Sequence, residues 1–227
     1  MSPTSAAFLG ISLLSASVAA ATQEQAVGEF SSVQISSGIH ATVEIGPRRP
    51  VRIEADDQVL QAVELRVEGD ELHVGFRPGT RWTGEHRVQV TIQTPQLRAV
   101  GGSGGSEVRA SFNRGSDAEI SASGGSVMNV RGVDAARLGV HGSGGSVINL
   151  SGSADSLSLH LSGGSELHGR DLSVKDIDVQ GSGGSQGELR ADGRVRGSLS
   201  GGSGLHIRGR ATTRVATSGG SEVNVQD

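Results

Sequence analysis

The chain has 227 residues, a formal net charge of −4, a sequence pI near 6.0, 2% aromatic residues and no cysteine. That balance lacks the basic footprint of a nucleic-acid binder, and so few aromatics leave little on which bases or sugars stack. Without cysteine there is no disulfide, thiolate nucleophile, zinc–thiolate site or lipid-modified cysteine anchor, so stability must come from packing and backbone pairing.

In chain order, residues 1–21 read as an export signal. Ala6 to Ala21 carry no charge and include Phe8, Leu9, Ile11, Leu13, Leu14 and Val18, and Ala19-Ala20-Ala21 offers a small-x-small cleavage pattern after Ala20 or Ala21. No basic residue precedes the run, and Ser and Ala dilute it below the roughly 20 strongly apolar residues of a membrane-spanning helix. No later stretch reads as a spanning helix, so none is expected once the signal is removed.

Residues 27–97 read as short strands that form an irregular N-terminal cap. Phe30 to Ile35, Ala41 to Ile45 and Val51 to Ala55 alternate apolar and polar, with breaks at Ser37-Gly38 and Gly46-Pro47. Asp56 to Leu60 predicts a turn or a single helical turn capped by Asp56. Leu65 to Val67, Glu71 to Val74 and Arg87 to Ile92 follow, with Glu68-Gly69-Asp70 as a hairpin turn. Arg77 to Glu85, with Pro78-Gly79 and Trp82, is the longest irregular stretch and reads as a plain connection.

From residue 98 onward one tetrapeptide organises the chain. Ser-Gly-Gly-Ser begins at Ser103, Ser123, Ser143, Ser162, Ser182, Ser200 and Ser218, intervals of 20, 20, 19, 20, 18 and 18 residues. A flexible linker has no reason to recur at constant phase, whereas a stacked repeat does. Three residues before the first Ser stand Val100, Ile120, Val140, Leu159, Val179, Gly197 and Val215, and five after it Val108, Met128, Ile148, Leu167, Gly187, Leu205 and Val223. Four before it stand Ala99, Glu119, Gly139, Ser158, Asp178, Arg196 and Arg214, so one parity is buried and the other wet. Each repeat reads as strand, Gly-Gly corner, strand and return. The glycines supply backbone with φ > 0 or a close approach, and the serines bond to one another and to corner backbone groups.

The expectation is all-β: a single-stranded parallel β-helix, or β-solenoid, with the N-terminal region (27–97) capping the repeats (98–227) as one continuous domain. Coils about 4.8 Å apart make seven of them a rod of roughly 30 Å.

Phe30 to Ile45, Val51 to Asp57, the Gly69-Asp70-Glu71-Leu72 turn, Val88 to Ile92 before Pro95-Gln96-Leu97, and the serial Ser-Gly-Gly-Ser coils together resemble a family of bacterial envelope proteins. These are described as putative auto-transporter adhesins with a head GIN domain, and the resemblance spans about residues 27–227. It implies right-handed coiling, a periplasmic or cell-surface location and an adhesion-type role, with no catalytic residues to carry over. Nothing after Asp227 supplies the alternating strands of a membrane barrel, so display would need a partner or another anchor.

Motif matches of other kinds fail on context. Gly101-Gly102-Ser103-Gly104-Gly105 satisfies G-x-S-x-G, but a nucleophile elbow needs a strand-to-helix turn with His and acid partners. No glycine run continues into the Lys-Ser/Thr of a phosphate loop, and the Asp of calcium-binding rolls is missing after the glycines. No cofactor is expected.

Histidines supply the only metal-type candidates. His141 and His160 each lie two before the first Ser, hence outward on adjacent coils, and Gln180 continues that column. Six after the first Ser run Arg109, Asn129, Asn149, His168, Glu188, His206 and Asn224. His168, Glu188 and His206 form a His-Glu-His row, but a straight row does not converge on a tetrahedral centre, so a solvated ladder is the favoured reading.

The favoured function is a non-catalytic surface or periplasmic solenoid acting as an adhesin or envelope scaffold, with an envelope protein, a glycan or a host surface as partner. The alternative is a polysaccharide-binding or polysaccharide-active β-helix; an enzyme needs paired acids on neighbouring coils, and the column four before the Ser offers only Glu119 and Asp178. A passive ligand or ice-binding face lacks the regular Thr columns it needs. The last coil, Thr213 to Val225, shows no cap, which predicts self-association or a partner there.

Overall fold

The computed structural model describes residues 21–80 and 87–226. The expected export signal up to residue 20, and the part of the long connection that holds Trp82, lie outside the described residues. The fold is all-β, and among the described residues one short helix interrupts the strands. In order these are β1 (Ala21–Gln25), β2 (Ser32–Ile35), β3 (His40–Ile45), β4 (Val51–Ala55), α1 (Asp57–Leu60), β5 (Val63–Glu68), β6 (Glu71–Phe76) and β7 (Gln89–Thr94). The repeats then give β8 (Ala99–Gly102), β9 (Glu107–Ala110), β10 (Ala118–Ala122), β11 (Val127–Gly142), β12 (Val147–Leu161) and β13 (Glu166–Gly181). The last strands are β14 (Gln186–Ala191), β15 (Arg194–Leu199), β16 (Gly204–Arg208), β17 (Thr212–Thr217) and β18 (Glu222–Gln226).

The repeats stack as a parallel β-solenoid. Before the corner, β8 pairs with β10, β10 with the end of β11, then β11 with β12, β12 with β13, β13 with β15 and β15 with β17, all parallel. After the corner the start of β11 joins β9, and the series runs on through β12, β13, β14, β16 and β18. The return between corners, unassigned in the sequence, is also strand in the middle coils. Inward parity slips at Arg131-Gly132 and again at Ala136-Arg137, so that Val130, Val133, Ala135 and Leu138 all reach the core. The 18-residue repeats shorten this return, and register in the β13–β14 pair jumps from Gly169 to Ser173.

One corner shows why the tetrapeptide recurs. Gly124 and Gly125 have φ of 57° and 78°, which close the turn from Ser123 to Ser126, where Ser126 N–H donates to Ser123 O at 3.2 Å. A Cβ on Gly124 would stand 3.3 Å from Gly104 N in the coil below, whereas one on Gly125 would meet nothing within 4 Å. In this corner the first glycine is thus required by conformation and by stacking, the second by conformation alone; at Gly164 and Gly184 the second glycine has no positive φ. The two serines also differ. The second is buried at Ser106, Ser126, Ser146, Ser165, Ser185 and Ser203, and Ser126 Oγ donates to Gly102 O at 2.9 Å, the carbonyl that ends the preceding coil's strand. Ser106, Ser146 and Ser185 repeat the contact with Ile35, Ala122 and Leu161.

The inward columns form one continuous aliphatic core, and each fully buried Val, Leu or Ile contributes about 1.5–3 kcal/mol. Both sequence exceptions have physical reasons. Gly197 has φ 141°, and a Cβ there would lie 1.8 Å from Val179 O. At Gly187 the space is flanked by Leu205 and Leu161 side chains.

The N-terminal region departs from sequence order. β2 lies between β6 and β8, and β3 between β7 and β9, all parallel and in register, so this coil is internal to the stack. Antiparallel strands stand beyond it: β5 pairs with β6 through the Gly69-Asp70 turn, with Gly69 at φ 63°, while β4 pairs with β7 and β1 with β4. α1 falls where the sequence predicts a turn, but the Asp56 side chain makes no capping bond; Asp56 O instead accepts from Val59 and Leu60 N–H at 2.9 Å each.

Candidate binding surface

In-register pairing turns each outward position into a straight column of side chains. The column two before the first Ser aligns Gln34, Gly101, Ser121, His141, His160, Gln180 and Ser198 on seven neighbouring strands. His141 and His160 are brought together as expected: their rings stack with centroids 5.0 Å apart and planes 11° from parallel. His141 Nε2 lies 3.9 Å from Glu119 Oε1, and His160 Nδ1 is buried with no hydrogen-bond partner among the described residues. This column and the first serines of the corners wall a groove of about 520 Å³.

The column six after the first Ser is also in register from Arg109 to Asn224. Asn149 Nδ2–H donates to Asn129 Oδ1 at 3.0 Å, an amide ladder. The His168-Glu188-His206 row does not act as a unit. Glu188 pairs with Arg170, has Arg208 3.8 Å away, and His168 turns instead to Glu166 at 3.3 Å. Among the described residues no three His, Asp or Glu side chains are grouped to hold a metal ion.

A third face carries cross-coil ion pairs. Arg137 donates to Asp117, Arg194 to Asp176 at 3.0 and 3.2 Å, and Arg196 to Asp178 at 3.2 Å. These hydrogen bonds hold the Asp117 and Asp176 carboxyls below the usual aspartate range. Of the groove residues, Ser121 and Ser198 were legible in the sequence, since they occupy the same repeat position as the histidines. Gln34 was not, because its strand enters the stack out of chain order.

These features define a class: a parallel β-solenoid whose outward side chains stand in ordered columns. The chain belongs to the family described as Putative auto-transporter adhesin, head GIN domain, whose model matches residues 29–211. A putative adhesin from Bacteroides fragilis has a similar solved structure, with a TM-score of 0.82 at 15% identity over 92% of this chain and 97% of that one. A putative lipid binding protein from Parabacteroides distasonis gives 0.68 at 13% identity, covering 91% and 96%, and a putative adhesin from Parabacteroides merdae gives 0.67 at 16%, also covering 91% and 96%. At these identities the likeness shows the fold. No curated protein matches the chain. Family membership points to an adhesin-like extracellular or envelope protein, and no helix among the described residues is long and apolar enough to cross a membrane.

Proposed function

We propose that the chain is an exported, non-catalytic solenoid that binds through its outward columns, as an adhesin or as a scaffold within the bacterial envelope. The observation that carries this reading is the in-register column of six polar side chains and one glycine over seven strands on one face, which offers an extended surface rather than a focal site. Family membership supports the adhesive role. The acid pair that the enzyme reading requires is poorly placed: Glu119 aligns with Gly139, Gly139 with Ser158 and Ser158 with Asp178, three coil steps or roughly 14 Å apart. Glycosidase carboxylates stand about 5–9.5 Å apart, and Asp178 is already engaged by Arg196.

The test compares a deletion strain with its complemented parent for attachment to matrix glycoproteins and to isolated envelopes. N-terminal sequencing of the exported protein accompanies it. Reduced attachment on deletion and a start at Ala21 or Thr22 are expected. Undiminished attachment, or release of reducing ends from polysaccharide by the purified protein, overturns the reading.

A further inference from the structure

The groove beside the stacked histidines differs in kind from the rest of the surface. Gln34, Ser121, His141, His160, Gln180 and Ser198 form one wall, the first serines of the corners form the other, and no Asp, Glu, Lys or Arg lines it. Four other grooves on the described surface all carry arginine, with Arg131, Arg170, Arg137 or Arg208 among their linings. An uncharged groove selects against polyanions, because nucleic acids and sulfated chains draw their affinity from paired cations. It is also too rich in hydroxyl, amide and imidazole groups for an acyl chain, which would leave those groups without partners.

The imidazole geometry narrows the ligand further. Rings 5.0 Å apart and 11° from parallel hold their in-plane lone pairs in nearly parallel planes, so both cannot point at one metal ion. They are instead suited to hydrogen-bond separate partners one coil apart. Polar groups recur along the groove at the coil spacing of about 4.8 Å, comparable to one pyranose unit of an extended chain, except on the coil of Gly101, where the Gln34 and Ser121 side chains close over the glycine. From Gln34 to Ser198 the column crosses six coil steps, about 29 Å.

We propose that this groove binds a neutral, extended oligosaccharide of about six sugar units, aligned with the solenoid axis and held by one tier of hydrogen bonds per coil. The inference rests on the binding-surface reading above and names its ligand class. No Trp, Tyr or Phe lines the groove, so affinity accumulates along the chain rather than from one stacking platform.

Isothermal titration of the purified full chain with neutral β-1,4-linked gluco- and manno-oligosaccharides of two to eight units tests it, with sulfated chains of equal length and phosphatidylcholine vesicles as competitors. Affinity should rise with length to about six units, change little with salt, and fall at least tenfold in the double variant His141→Ala/His160→Ala and in the groove-filling Gln180→Trp. Arg131→Ala, on another face, should bind as the parent does. Circular dichroism and Tm establish that each variant is folded. Absence of neutral-chain binding, equal binding by the groove variants, preference for sulfated chains, or competition by vesicles overturns the proposal. Cells that attach equally well with groove variants leave the adhesive role intact and sink the groove; purified protein that binds the oligosaccharides without supporting attachment does the reverse.

Discussion

Ser126 carries its hydroxyl into a mostly apolar interior and donates it to Gly102 O at 2.9 Å. That carbonyl keeps its ladder bond from Ser123 N–H in any case, but Ser126 Oγ also accepts from Ser123 N–H at 3.0 Å, so Ser126→Ala removes both side-chain bonds and should cost about 1–2 kcal/mol. Ser165, at the same repeat position, has a buried Oγ with no partner among the described residues. Ser165→Ala therefore sheds an unsatisfied hydroxyl and should leave stability unchanged or raised; chemical denaturation of the two variants reads the contrast. The paired aspartates make a separate prediction. Asp117 and Asp176 titrate below the ordinary aspartate value in the fold, so their stabilisation is complete above the unfolded value and is lost as pH falls through the folded ones. Tm should stay level with respect to these groups above pH 5 and fall below about pH 4. The fall should be shallower in Asp117→Asn/Asp176→Asn, and the difference small and salt-sensitive because Asp117 is exposed and Asp176 only half-buried. Beside the corners, the identity of the inward and outward residues was legible in the sequence at this scale, since strand parity fixes it there; along the return it was not, because parity slips at Arg131-Gly132 and Ala136-Arg137. Which serine of each corner is buried was not: both have the same side chain, and only the path of the turn separates them.

The outermost strands behave differently from the coils they stack on. β17 pairs only with β15 and β18 only with β16, so among the described residues their outer backbone edges have no partner. Val215 and Val223 are half-buried, and Val225 is 41% exposed. An unpaired, apolar strand edge templates pairing with another chain. Light scattering at rising concentration should show self-association, and Val223→Lys/Val225→Lys should return the protein to a monomer; a parent that stays monomeric throughout refutes the expectation. The corners themselves were legible because Gly-Gly recurs at fixed phase. The strand character of the return was less so, since small residues such as Ala135, Ala154 and Ala191 fill its inward positions.

The whole molecule depends on a chain path that doubles back. After β1 the chain forms β2 and β3, continues through β4 to β7 on one side of them, and then places β8 and β9 on the other. Solenoid stability is a sum of coil and nearest-neighbour terms, so removal of different ends has unequal effects. Residues 98–227 alone would expose the edges of β8 and β9 that β2 and β3 cover, and should aggregate or fail to fold. Deletion of Glu222 to Asp227 should instead leave the coils below intact, with unchanged secondary-structure signal per residue. Circular dichroism and size-exclusion chromatography of both truncations distinguish these outcomes.

Period, glycine corners, inward parity beside the corners and the alignment of His141 with His160 and Gln180 can all be read from the order of residues. In a parallel stack, each of these is a consequence of residues one repeat apart. Tertiary structure alone decided the insertion of β2 between β6 and β8, the addition of Gln34 to the groove, and the pairing of Glu188 with Arg170 rather than with its histidine neighbours. The first two arise from contacts between segments that share no period. The third depends on which long side chain reaches the carboxylate, a competition that column position does not encode.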